Sequence, residues 1–294
     1  MLNIYMKEKR KVIDEVMEGY LNKLKYPSVI AEGMKYSLFN GGKRLRPMLL
    51  LMTLEALGVD EKKGYATATA IEMIHSYSLV HDDLPALDND DYRRGKLTTH
   101  KKFGEAEAIL IGDALLTHSF NVISAGNIDL GGEKVARLVA LTSSYAGING
   151  MIGGQMIDIE SEGKKVELPT LQYIHTHKTG MMIKLPVEAA CIIGEAPEET
   201  TTKLVEYSEL IGLAFQIKDD ILDIEGEFEK IGKPVGSDEE LEKSTYPQIF
   251  GLEKTKEILS EKIEKAKSVA VEALGEEKAE LFIGLADFIG NREN

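Results

Sequence analysis

The segment AIEMIHSYSLVHDDLPALD, residues 70–88, carries an apolar helical run straight into paired carboxylates. With the following NDDYRRG, residues 89–95, it places Asp82, Asp83, Asp88, Asp90 and Asp91 within ten positions and then adds Arg93 and Arg94. Two carboxylates about 5 Å apart repel by roughly 3 kcal/mol at an effective dielectric of about 20. They also sit late in an apolar helix, where the helix dipole disfavours negative charge. Water or a bound cation has to offset that cost. Pro85 interrupts the hydrogen bonding to the carbonyl four residues back. The break frees the chain to swing Asp88 toward Asp82, whereas an unbroken helix would leave the two about 240° apart around its axis.

A second acidic cluster lies far downstream in QIKDDILD, residues 216–223. Asp219 and Asp223 are four apart and share a helix face. Asp82 likewise follows Ser78 and His75 at helical intervals. Oxygen-only donors, with no chelating His or Cys pattern, suit Mg²⁺ better than Zn²⁺.

The 294 residues are 43% hydrophobic and 29% charged, which is ordinary soluble composition. A net charge of −14 argues against general nucleic-acid binding. The one cysteine, Cys191, excludes an intramolecular disulfide and any CxxC metal site. The first twenty residues mix charges throughout and lack the apolar core of a signal peptide, so a cytoplasmic protein is expected. The longest uncharged run, residues 138–157, holds too many polar residues and glycines for a transmembrane segment.

Apolar residues recur at helical spacing from Val12 to Leu24. Further helices are predicted over 66–83, 105–124, 133–157, 170–193, 200–225 and 253–291, and no stretch alternates long enough for a convincing strand. The expectation is an all-α chain of about ten helices forming one domain over residues 1–294.

Because Mg²⁺ commonly joins few carboxylates to substrate phosphates, basic motifs matter. GGKRLRP at 41–47 offers Lys43, Arg44 and Arg46. Arg93 and Arg94 follow the first acidic cluster. HKTG holds Lys178 and Thr179, GKP holds Lys233, and KSTYP holds Lys243. Basic sites beside glycines in an acidic chain read as a phosphate clamp.

Taken in order, GGKRLRP, DDLPALD with RRG, GGQMID, HKTG, FQIKDDILD and GKPVGSDEELEKSTYP resemble the motifs of the trans-isoprenyl diphosphate synthases, or polyprenyl synthetases. The resemblance spans about residues 41–247 and is nearest to the bacterial farnesyl diphosphate synthase branch. It implies an isoprenoid synthase fold around a central cavity, a homodimer, and three Mg²⁺ ions with Mn²⁺ as a substitute. The implied partners are isopentenyl diphosphate and allylic diphosphates. The implied reaction is ionisation of the allylic diphosphate, attack by the double bond of isopentenyl diphosphate, and loss of a proton.

By the family's pattern Asp82 and Asp88 hold two Mg²⁺ with Asp83 in support. Asp219 holds a third with Asp223 through water, and Asp158 adds a ligand. Arg93, Lys178, Lys233 and Lys243 bind the allylic diphosphate. Lys43, Arg46, His75 and Arg94 bind isopentenyl diphosphate. Thr179 and Gln216 face the cation. Tyr77 closes the floor that sets product length, beside the smaller Ser78. Lys254 and Lys256 are read as surface charges, and so by preference is Arg292. A geranylgeranyl diphosphate synthase is the alternative within the family, and a class I terpene cyclase and a non-catalytic partner subunit are the rival functions outside it. A cyclase needs no second diphosphate site, and a dead subunit would be expected to lose aspartates.

Asp82→Ala and Asp219→Ala are each expected to lose several kcal/mol of transition-state stabilisation, about a hundredfold or more in turnover. Near-wild-type steady-state rates in Mg²⁺ from either variant would remove the metal role.

Overall fold

The computed structural model describes residues 1–225 and 244–292. Helices carry nearly all of it: α1 Leu2–Leu21, α2 Ser28–Leu38, α3 Leu45–Ala56, α4 Tyr65–Asp82, α5 Thr99–Phe103, α6 Glu105–Gly126, α7 Gly132–Ala146, α8 Met151–Ser161, α9 Leu168–Ile174, α10 Met181–Gly194, α11 Glu198–Glu225, α12 Tyr246–Phe250, α13 Leu252–Leu274 and α14 Glu276–Asn291. A π-helical segment, His175–Gly180, joins α9 to α10. The expected all-α class holds.

Two predicted long helices are divided. The run 133–157 breaks between α7 and α8 at the glycine-bounded turn 147–150, and the run 253–291 breaks at Gly275. Gly275 has φ of +77°, a conformation that a β-carbon penalises, so the periodic pattern continues across a real stop. Two strands, β1 Tyr92–Arg93 and β2 Lys96–Leu97, were too short to show any alternation.

The chain forms two compact units. One comprises Asn3–Ala140 with Ile192–Gly194, and the other Met1–Leu2, Leu141–Cys191 and Glu195–Asn294. In the first, α4 packs against α6 and α3, and α2 against α6. Leu49, Leu50, Leu51 and Leu54 of α3 and Ile71, Met73 and Ile74 of α4 are fully buried. A helix apolar nearly all round belongs in a core, which is why α4 can present carboxylates from a rigid base. Close approach of α4 and α6 has a local cause: a β-carbon at Gly112 would lie 2.1 Å from His81 Nε2. Among the described residues α6 is the one helix long and apolar enough to cross a membrane, yet Ala108, Ile111, Leu115 and Ile123 are buried inside its unit.

In the second unit α11 packs against α13, α14 and the π segment. Tyr207 of α11 is fully buried, donates its hydroxyl to the Phe282 carbonyl at 2.8 Å, and meets the Phe282 ring edge-on at 5.2 Å. Gly212 of α11 abuts Gly180, and Gly154 of α8 abuts Lys178, where added β-carbons would lie 3.1 Å and 2.2 Å from backbone atoms. The π segment is thus clasped between two helices of its own unit.

Arg44 pins the first unit. Its side chain is 2% exposed, and it reaches Asp14 at 2.8 Å, Glu72 at 2.9 Å, and the carbonyls of Leu38 and Gly41. Breaking a buried pair from one side leaves an uncompensated charge, and Glu72 is itself 3% exposed. Arg44→Met is therefore expected to cost about 3–5 kcal/mol, read as a lower urea midpoint at unchanged slope. A shift below about 1 kcal/mol would contradict the pin.

Candidate active site

Asp82 is the last residue of α4 and Asp83 caps it. Past Pro85 the chain doubles back. The Asp88 N–H donates to the Asp82 carbonyl at 2.9 Å, and the Asn89 N–H to the Leu84 carbonyl at 3.1 Å, with Asn89 at φ of 51°. Asp82 is half-buried and Asp88 exposed. Asp83 is buried and engaged by Arg93, whose Nε and a terminal nitrogen reach Oδ1 at 2.7 and 2.5 Å. Burial pushes the Asp83 carboxyl up, against the opposite pull of Arg93. For Arg93 burial works downward, but its bonds to Asp83 outweigh it and hold the guanidinium charged.

Arg93 and Arg94 are neighbours with different seats. Tyr92 pairs with Leu97 and Arg93 with Lys96, and Arg94 and Gly95, both at positive φ, make the turn. That is the requirement of a two-residue type I′ hairpin. Arg93 turns to Asp83. Arg94 donates to the Gly41 carbonyl at 2.8 Å and lies on Gly42, where a β-carbon would stand 2.6 Å from its guanidinium nitrogen. Gly42 also has φ of 109°, so the position is closed to side chains on two counts.

The rest of GGKRLRP completes a basic cluster. Lys43 is exposed, and Arg46 reaches His75 Nε2 at 3.4 Å. Burial first, then the charges of Arg46, Arg94, Arg93 and Arg44, hold His75 well below the ordinary imidazole range. Guanidinium groups gathered around a neutral imidazole form a seat for an anion. Two residues on from His75 along α4, Tyr77 is buried and meets the His81 ring edge-on at 5.7 Å. Burial, then the charge of Asp82, pushes the Tyr77 hydroxyl up to about 12. Ser78 donates back to the His75 carbonyl at 2.9 Å.

The second unit assembles the other expected residues. Lys178 pairs with Asp158 at 2.5 Å. Thr179 is half-buried in the π segment, which interrupts the helix predicted over 170–193. Such insertions are frequent at functional positions. On α11, Gln216 donates to Asp219 Oδ2 at 3.1 Å, and Asp223 follows one turn on, half-buried. Asp220 serves the fold: it accepts the Tyr246 N–H at 2.9 Å, with His175 Nε2 at 3.7 Å. Burial, partly countered by Asp158 and reinforced by Lys178, takes His175 down to about 4.

Arg292 corrects the sequence reading. Far from lying among the surface charges, its guanidinium meets Asp219 Oδ1 at 2.5 Å. No local pattern points to it, because its partner lies 73 residues away. Lys233 and Lys243 lie outside the described residues.

Among the described residues no three His, Cys, Asp or Glu side chains gather into a metal-holding group. The donor chemistry still fits Mg²⁺, which takes one or two carboxylates and fills its octahedron with water and substrate phosphates.

The described residues form an all-α chain with an acidic cluster in each of its two units and guanidinium groups beside the first. The polyprenyl synthetase model matches residues 27–278, and the chain belongs to that family. It is 49% identical over 267 residues to a farnesyl diphosphate synthase of Geobacillus stearothermophilus, covering 89% of each chain. It is 46% identical to a farnesyl diphosphate synthase of Bacillus subtilis, over 100% of this chain and 99% of the relative. Its fold is similar to the crystal structure of a geranyltransferase from Legionella pneumophila, with a TM-score of 0.88, 31% identity, and coverage of 100% and 98%.

The hairpin gives the two arginines different costs of removal. Arg93→Ala leaves the buried Asp83 carboxylate without its guanidinium and is expected to destabilise by about 3 kcal/mol. Arg94→Ala strands no carboxylate to which the arginine is hydrogen-bonded and is expected to change stability by about 1 kcal/mol or less. Equal shifts in the urea midpoint would refute the separation.

Proposed function

We propose that the protein is a farnesyl diphosphate synthase, condensing isopentenyl diphosphate with dimethylallyl and then geranyl diphosphate. The observation that carries this reading is the pair of adjacent arginines turned to separate seats, in a chain similar to farnesyl diphosphate synthases over nearly its whole length. Two diphosphates have to be held apart by charge and brought together at carbon. A cyclase handles one diphosphate, so the Arg94–Gly42 seat speaks against that alternative. The whole chain works as one catalytic domain.

The isopentenyl diphosphate is held by Lys43, Arg46 and Arg94, with His75 as a neutral donor. The allylic diphosphate is held by Arg93, Lys178, Lys233 and Lys243. Arg93 and Lys178 reach it by exchanging Asp83 and Asp158 for phosphate oxygens. Asp82, Asp88 and Asp219, with Asp83, Asp158 and Asp223 in support, would hold magnesium ions, three by the family's pattern and replaceable by Mn²⁺, which would supply the charge that neutralises the leaving diphosphate. As the allylic carbon–oxygen bond breaks, Thr179 and Gln216 face the cation. The double bond of isopentenyl diphosphate attacks, and the proton is lost to the departed diphosphate.

Tyr77 ends elongation. Each added five-carbon unit favours longer products by about 4 kcal/mol at roughly 0.8 kcal/mol per CH₂. Affinity cannot stop the chain, so a wall must. Tyr77 lies five residues back from Asp82 along α4, about 7.5 Å deeper at 1.5 Å per residue. Its burial and its edge-on contact with His81 support a rigid floor. The protein works in the cytoplasm as a homodimer, with Ile109 and Leu110, exposed on α6, at the interface.

Chain-length analysis of products from radiolabelled isopentenyl diphosphate tests the reading. Fifteen-carbon product is expected from the wild type. Tyr77→Ala is expected to yield twenty-carbon or longer product with the first condensation little changed. No label incorporated by the wild type would dismiss a prenyltransferase. Wild-type geranylgeranyl diphosphate would shift the reading to the twenty-carbon synthase and put the floor elsewhere.

A further inference from the structure

We propose that Arg292 is the resident counter-cation of Asp219, occupying the second aspartate cluster until a divalent cation takes its place. This rests on the reading of Asp219 as a metal ligand and adds the step by which that ligand becomes available.

Both carboxylate oxygens of Asp219 are engaged by donors of its own unit. Oδ1 accepts from Arg292 at 2.5 Å and Oδ2 from Gln216 at 3.1 Å. A Mg²⁺ ion binds a carboxylate oxygen at about 2.0–2.1 Å. A guanidinium 2.5 Å from the same oxygen stands where the ion has to come, and two cations there repel. Metal and arginine therefore compete for Oδ1.

The arginine is held in three ways. Its side chain is 7% exposed, it donates to the Phe215 carbonyl at 2.7 Å, and its guanidinium carbon lies 3.9 Å from the Phe215 ring centre. The fit is nonetheless incomplete, because its Nε is buried with no hydrogen-bond partner. A buried donor left unsatisfied costs free energy, so the pose depends on the charge of Asp219. Release is simple in the backbone. Arg292 stands one residue beyond α14 in extended conformation, at φ −62° and ψ 147°, so it can leave without melting a helix. Before loading, the latch supplies the positive charge that the cluster requires.

Mn²⁺ titration followed by electron paramagnetic resonance, with no diphosphate present, reads the competition without turnover. Asp219→Asn is expected to abolish one class of bound Mn²⁺ and so to identify the site. Arg292→Ala is expected to tighten that class by about tenfold, and Arg292→Lys, which keeps the charge, to stay near wild type. If Arg292→Ala misfolds by circular dichroism, Arg292→Gln replaces it with the same expectation. An affinity within about twofold of wild type, or a weaker one, would overturn the latch and leave Arg292 as a tie between α14 and α11. Asp219→Asn with unchanged Mn²⁺ binding would instead overturn the metal reading of Asp219, and the latch with it.

Discussion

Carboxylates taken out of water must find positive charge. The structure meets this within each unit by pairing them with the chain's own cations. Glu72 shares the buried Arg44 with the half-exposed Asp14, Asp83 takes Arg93, and Asp158 takes Lys178; in the second cluster the buried partner is the cation, Arg292, which takes the 45% exposed Asp219. Desolvating an isolated carboxylate costs several kcal/mol, a large share of the roughly 5–15 kcal/mol by which a folded chain is stable. Helix placement around these residues is therefore subordinate to the pairing.

The same constraint separates structural from functional charge. Arg44 is buried and spends four of its five N–H donors on two carboxylates and two carbonyls, so it serves the fold. Arg93, held closely by Asp83 with Asp90 at 3.7 Å, and Lys178, held by Asp158, are partly open to solvent, so they can trade a carboxylate for phosphate. The cations that stabilise the ligand-free chain are in this way the ones available to substrate. Backbone geometry enforces the division: the hairpin sends Arg93 and Arg94 apart, and the two glycines of the GGKRLRP segment leave room for Arg94.

Much of the fold was legible in residue patterns. The apolar run of α4, its stop at the aspartates, and the return of Asp88 after Pro85 all follow from local chemistry. The π segment at His175–Gly180 was not legible, because the apolar periodicity runs through it and predicted one helix over 170–193. The failures have local causes too. Periodicity continues through Gly275 and through 147–150, so each pair of helices looked like one. The hairpin at 92–97 has strands of two residues, too short for a period-two signal.

By itself the sequence determined the helical class, the two acidic clusters and the supply of basic residues, because each depends on neighbours within a few turns. Only the tertiary structure decided which cation each carboxylate takes. Arg44 reaches Glu72 across 28 residues and Arg292 reaches Asp219 across 73. Such partners are chosen by where packed helices carry their side chains. A Coulomb term that falls with distance in space has no counterpart in distance along the chain.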